Sequence, residues 1–255
     1  MTLAFSLVVA VGLGLCLGSF LNVVIYRLPR GMSLARPGSR CGFCRSAIQW
    51  FSNIPVLSYL IQQGSCRKCG HHFSLRYPVV ELLCALLFVV LWDHYGWGNE
   101  LWILTAFTLT LVAASFIDLD FKIIPDEMSL GGWALGLLLA GLNVPGFPVS
   151  LQEALAASFL AAAFFFILSR LFYLVRQEMG LGDGDIKLMG FIGAFLGFQG
   201  AVSAVLVGSI AGTLTFLFLM AFGKQSRTAA MPFGPFLAMG ALVTVFNLDF
   251  WWGLH

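Results

Sequence analysis

Eight apolar runs divide this chain, at roughly 3–25, 78–92, 101–117, 128–142, 154–173, 186–198, 201–222 and 233–250. About 20 consecutive apolar residues are enough to cross the hydrocarbon core of a bilayer as a helix. Hydrophobic residues make up 59% of the sequence and charged residues 10%, against about 25% charged in a soluble domain. The expected fold is therefore an all-α polytopic membrane protein with about eight transmembrane helices. The sixth run is short, about 13 residues, and Gly197-Phe198-Gln199-Gly200 separates it from the seventh. It can be a half-span or a re-entrant piece. The first run is expected to be retained, because no basic region precedes it and its charges follow it.

The net charge of +2 says little; the placement of the charges says more. The loop at 26–77 carries Arg27, Arg30, Arg36, Arg40, Arg45, Arg67, Lys68 and Arg76. Lys122 lies at 118–127, Arg170, Arg176 and Lys187 flank 174–185, and Lys224 and Arg227 lie at 223–232. With eight spans, all 14 basic residues fall on one side or at its edge, and the opposite loops at 93–100, 143–153 and 199–200 have none. The positive-inside rule makes the basic side cytoplasmic, with the N-terminus and the interfacial Trp251-Trp252 facing outward.

The domain reading is a first transmembrane helix at 1–25, a cytoplasmic cysteine-rich loop at 26–77 and a membrane-embedded part at 78–255. The loop contains Cys41-Gly42-Phe43-Cys44 and Cys66-Arg67-Lys68-Cys69, two C-x2-C pairs separated by 21 residues. Two such knuckles can wrap four thiolates around a tetrahedral zinc, at a spacing just beyond the usual pattern. A pair of disulfides or a redox site is the competing reading, and a reducing cytoplasm disfavours it. A loop this small has little core, so a structural zinc staple makes physical sense. His71 and His72 could substitute as ligands but read better as solvated residues. Cys16 and Cys84 lie in spans and read as small packing residues. Gly12, Gly14 and Gly18 are expected to form a small-residue face on the first span, and Gly193, Gly197 and Gly200 on the sixth.

Carboxylates beside lipid-facing runs are costly, and are functional by default. Two stretches place them there: Ile117-Asp118-Leu119-Asp120-Phe121-Lys122-Ile123-Ile124-Pro125-Asp126 and Gly182-Asp183-Gly184-Asp185-Ile186-Lys187. Asp118 adjoins its apolar run directly. Asp120 reads as a solvated loop residue and Asp126 as the cap of the next helix. Asp185 opens the sixth run, where a helix N-terminus favours an anion; Asp183 is the alternative. Lys122 and Lys187 could tune either acid or serve only as anchors. Two nearby carboxylates share a proton, so one can activate water while the other protonates the carbonyl oxygen or leaving amine. No histidine sits at a span edge beside an obvious nucleophile, and there is no His-Glu-x-x-His helix.

The ordered set of motifs resembles the type IV prepilin peptidases, the prepilin leader peptidase/N-methyltransferase family of GxGD aspartic proteases. It begins with Gly18-Ser19-Phe20-Leu21-Asn22-Val23-Val24-Ile25-Tyr26-Arg27-Leu28-Pro29. The cysteine pairs follow, with Asn53-Ile54-Pro55-Val56-Leu57-Ser58-Tyr59 between them, then Arg76-Tyr77-Pro78-Val79-Val80-Glu81. The two aspartate motifs and Pro232-Phe233-Gly234-Pro235-Phe236 complete it. The resemblance implies that the aspartate seven residues before the Ile-Pro proline, Asp118, and the one closing Gly-x-Gly-Asp, Asp185, are catalytic. It further implies a bacterial inner-membrane enzyme acting on type IV prepilins or type II secretion pseudopilins. Short basic leaders would be cut after a glycine at the cytoplasmic face, and the new N-terminus methylated with S-adenosylmethionine. No glycine fingerprint marks a site for that methyl donor; Glu81 is a candidate participant, or else a buried, paired carboxylate. Membrane lipid is an expected partner and nucleic acid is not. A peptidase without methyl transfer, a membrane zinc-ribbon scaffold and a thiol redox protein are the competing readings.

Overall fold

The structure is a computed structural model and describes residues 3–49, 54–177, 182–222 and 231–246. Helix α1 (Leu3–Arg27) runs into a 3-10 turn, Leu28–Arg30. Next come α2 (Leu57–Ile61), α3 (Arg76–Tyr95), α4 (Asn99–Phe121), α5 (Asp126–Gly141), α6 (Leu151–Arg176), α7 (Asp183–Ala221) and α8 (Gly234–Val245). Among the described residues, strand pairing is confined to two isolated bridges, Arg40 with Ala47 and Ser65 with His72.

Five helices, α1, α3, α4, α6 and α7, are long and apolar enough to cross a membrane, which makes this a multi-pass membrane protein. Helices α5 and α8 have 16 and 12 residues, short of a full span. The sixth and seventh apolar runs are both part of α7. The expected outer loop at 199–200 is instead helical. The break between the runs is a single residue, Gly197, at φ 66 and ψ −159. Glycine adopts that backbone without a Cβ clash, and a side chain there would run into Glu153. Lys224, Arg227 and the Trp251-Trp252 pair lie outside the described residues.

The chain forms two compact units, Met1–Gly96 and Trp97–His255. In the first, α1 packs on α3 through small residues. A Cβ on Gly14 would lie 2.6 Å from the Ala85 Cα, and one on Gly18 would lie 2.7 Å from the Glu81 Cα. The expected small-residue face is thus Gly14 and Gly18; Gly12 faces open space. Cys84 is buried on this seam while Cys16 is exposed. Gly18→Leu is expected to cost about 1–3 kcal/mol by overpacking, read as a lower unfolding midpoint in detergent. Gly12→Leu is expected to leave the midpoint unchanged, and equal losses in the two variants would contradict this packing.

In the second unit, α7 packs against α5, α6 and α8. Phe107, Phe191 and Phe195 form an aromatic core with ring centroids 4.9–5.0 Å apart. Gly132 and Gly136 on α5 leave room for the Phe191 and Phe195 rings, each of which would sit 2.7 Å from an added Cβ. Of the glycines expected to form a face on the sixth run, Gly193 lies against the Ala157 and Ser158 backbone of α6. These contacts fix the N-terminal half of α7, which carries the second aspartate motif.

Candidate active site and metal centre

Asp118 lies in the last turn of α4 and is 6% exposed. The helix ends at Phe121, and Lys122 takes a left-handed conformation, its N–H donating to the Asp118 carbonyl at 2.9 Å. The chain then reaches Pro125, which occupies the N-cap position of α5. Asp126 is therefore not the cap expected of it; it is the first residue of α5 and makes no side-chain cap bond. Its Oδ1 accepts from Lys187 Nζ at 2.6 Å instead. That pair ties the start of α5 to the first turn of α7.

Helix α7 opens after Gly182 with Asp183 and Asp185 in its first turn. Asp183 is exposed and Asp185 half-buried. The Asp185 carboxylate is hydrogen-bonded to the Gly182 N–H and lies close enough to Asp118 for their charges to interact. A third segment completes the arrangement: the Gly234 N–H, at the start of α8, donates to Asp118 Oδ2 at 2.9 Å. The first N–H groups of a helix have no intrahelical partner, and Pro235 has no N–H to offer, so Gly234 presents the usable donor. An added Cβ on Gly234 would lie 2.8 Å from the same oxygen. Ile124, buried, wedges between the segments. Its side chain lies 3.1 Å from where a Gly184 Cβ would be and 3.3 Å from where a Gly234 Cβ would be. The second glycine of the Gly-x-Gly-Asp motif thus admits Ile124. The sequence reading missed the Gly234 donor and the Ile124 wedge. A glycine between Phe233 and a proline at a helix start was the available signal for the first.

In the first unit the two cysteine pairs form matching knuckles. Cys41 N–H donates to the Ser46 carbonyl and Arg45 N–H to the Cys41 carbonyl, each at 2.9 Å. Cys66 N–H donates to the His71 carbonyl at 2.9 Å and Gly70 N–H to the Cys66 carbonyl at 2.8 Å. Arg45 (φ 54) and Gly70 (φ 69) turn the two knuckles. The four sulfurs lie within 4.8 Å of one another, with Cys41 to Cys69 at 3.8 Å and Cys44 to Cys66 at 3.9 Å. Zinc–sulfur bonds of about 2.3 Å in a tetrahedron put sulfurs about 3.8 Å apart. A disulfide needs about 2.05 Å, and all four cysteines are free thiols.

The charges also call for a cation. The Ser46 hydroxyl, helped by its backbone, pulls Cys44 down to about 6. At Cys69 the His71 backbone acts the same way, but burial and the three other sulfurs outweigh it and push this thiol up to about 12. A metal ion held by the four sulfurs would let them ionise together. The donor set therefore fits a metal ion. The histidines stand apart from it: His71 stacks on Phe43 with centroids 5.1 Å apart, and His72 Nδ1 pairs with Ser65 Oγ at 3.1 Å. Glu81 is buried, and its Oε2 accepts the Val56 N–H at 2.8 Å.

A helical membrane protein with acids at helix ends and a four-thiol loop is the class to which the comparisons with known proteins also point. Residues 13–95 match the family model of the bacterial peptidase A24 N-terminal domain, and residues 105–217 that of the type IV leader peptidase family. A prepilin leader peptidase/N-methyltransferase of Pseudomonas putida is 36% identical over 95% of this chain and 91% of its own length. One from Neisseria gonorrhoeae is 33% identical over 98% and 96%. The type 4 prepilin-like proteins leader peptide-processing enzyme of Escherichia coli is 34% identical over 91% of each. No solved structure matches the chain. This chain belongs to the type IV leader peptidase family.

Proposed function

We propose that this protein cleaves the leaders of type IV prepilins or type II secretion pseudopilins with Asp118 and Asp185, and N-methylates the new N-terminus. The observation that carries the peptidase reading is the meeting of the buried Asp118 with Asp185, held by Gly234, Gly182 and the Ile124 wedge. The two carboxylates share one proton. The ionised one takes a proton from water as that water attacks the scissile carbonyl, and the protonated one gives its proton to the carbonyl oxygen. When the tetrahedral intermediate collapses, the leaving amine takes up a proton and the dyad returns to its starting state. Both groups act within 78–255, while Cys41, Cys44, Cys66 and Cys69 hold a structural zinc within 26–77.

The location proposed is the bacterial inner membrane, with the loop and both aspartates on the cytoplasmic side. Its support is the eight basic residues of the loop at 26–77, with Lys122 and Lys187 beside the two aspartate motifs, under the positive-inside rule. When bound, S-adenosylmethionine supplies the methyl group. Incubating detergent-purified protein with a prepilin and weighing the product by mass spectrometry tests both activities at once; an uncut prepilin would refute the reading. The two activities are also expected to separate. Asp118→Ala protein should leave prepilin whole yet methylate a peptide supplied already trimmed. Loss of methylation of that trimmed peptide would show that the aspartate serves both reactions.

A further inference from the structure

We propose that a cleft in the first unit, walled by α1, α3 and the cysteine knuckles, binds the sulfonium methyl donor, with Glu81 as the anion facing its charge. This rests on the methyl-transfer half of the reading above. The cleft measures about 1050 Å³, enough for a ligand of this size. Tyr26 and Asn22 of α1, Tyr59 of α2, Tyr77 and Glu81 of α3, and Arg45 of the first knuckle all line it, and Glu81 is the single acid among lining residues that also include the cations Arg27, Arg40, Arg67 and Lys68.

S-adenosylmethionine makes three demands on a site: a flat base, an amino-acid carboxylate and a sulfonium that carries charge but cannot donate a hydrogen bond. Tyrosine rings suit the base, and they suit the sulfonium through their faces. Arg45 suits the carboxylate. The sulfonium wants an anion, and Glu81 is a carboxylate only 8% exposed at the wall of this cleft. Its partners are neutral donors, the Val56 N–H and the Ser19 hydroxyl. They orient the carboxylate without cancelling its charge, so a sulfonium seated against it would meet an anion and not one of the cations of the cleft.

Val56 provides a second observation. It sits at φ 60 and ψ −50, where β-branched residues are genuine outliers. Such backbone persists where its surroundings hold it, and it clusters at ligand sites. Here the outlier turns its N–H onto Glu81. In the transfer itself, the amine nitrogen bonds the methyl carbon, the carbon–sulfur bond breaks with its electron pair going to sulfur, and the amine's proton leaves to solvent. The sulfur ends neutral, so the attraction of Glu81 is lost when the reaction is over.

The test uses full-length protein in detergent and equilibrium dialysis with labelled S-adenosylmethionine and S-adenosylhomocysteine, which differ in charge at sulfur. Glu81→Gln keeps an oxygen for the Val56 N–H and removes only the charge. The expected result is at least about a tenfold loss of S-adenosylmethionine affinity, with S-adenosylhomocysteine bound as in the wild type. Equal weakening of both ligands, or of neither, would overturn the role of Glu81. Ultraviolet cross-linking of the labelled donor to wild-type protein gives an independent reading: peptides within 19–81 are expected to carry the label. Label in Trp97–His255, on protein that does transfer methyl groups, overturns the location alone. A wild-type protein that neither binds the donor nor transfers a methyl overturns the methyl-transfer reading as well.

Discussion

Asp118→Asn and Asp185→Asn proteins are each expected to insert and fold normally but to cleave prepilin about 10³-fold more slowly, or not at all. That factor corresponds to about 4 kcal/mol of lost transition-state stabilisation. The asparagine at 118 keeps an oxygen to accept the Gly234 N–H, so the α4–α8 tether survives and only proton handling is lost. The two losses are expected not to add. Groups that act as a unit lose nearly everything when the first is removed, so the double variant should be about as slow as either single variant. Asp183→Asn, altering an exposed carboxylate, should cleave at the wild-type rate. Cleavage by Asp185→Asn together with loss in Asp183→Asn would move the site to the neighbouring acid. Multiplicative losses in the double variant would argue that the two aspartates act separately.

Replacing Cys41, Cys44, Cys66 and Cys69 together by serine is expected to take zinc from about one per chain to none and to unfold the knuckles. Zinc in small four-thiolate sites contributes roughly 10–16 kcal/mol of folding free energy, more than a loop of this size can replace with buried side chains. The knuckles show why. Cys41 and Cys66 are the only buried apolar side chains among the described residues from 28 to 75; hydrogen bonds and the exposed Phe43–His71 stack add to them. Two measurements follow: elemental analysis of purified protein, and the rate of proteolysis of the loop with and without a chelator. Unchanged metal content in the serine variant would refute the site. Loss of metal without faster proteolysis would refute its structural role.

Much of the architecture could be read from hydropathy, because lipid imposes a length on every crossing. The helices α1, α3, α4, α5 and α6 start and stop within a few residues of the apolar runs. The cysteine cluster was legible because a C-x2-C knuckle is a local structure whose chemistry travels with its spacing. What escaped the sequence lies in contacts between distant segments. Asp126 looked like a cap because an apolar run begins just after it, at Met128, but the cation that engages it, Lys187, is 61 residues away. The 199–200 stretch looked like a loop because glycines flank it, whereas one positive-φ glycine absorbed the whole break. The Gly234 N–H bond to Asp118 spans 116 residues, a distance over which periodicity carries no information. Glu81 was read as a buried, paired carboxylate or a participant in methyl transfer; that its partner is the backbone of Val56 depends on a φ angle no propensity predicts.

Ile124 gives the arrangement a property beyond packing. It touches the glycine preceding Asp185 on one side and the glycine that donates to Asp118 on the other. The space between the segment that carries Asp185 and the one whose N–H holds Asp118 is therefore filled by a hydrocarbon shim and not by the acids. A shim of that kind does not titrate, is not screened by salt and does not change shape as protons come and go. Two carboxylates left to themselves would drift apart when both are charged and close up when they share a proton. Here a side chain indifferent to either state shares in setting the spacing beside the Asp126–Lys187 ion pair and the Gly234 bond, so one part of the frame stays the same through every step of a proton cycle.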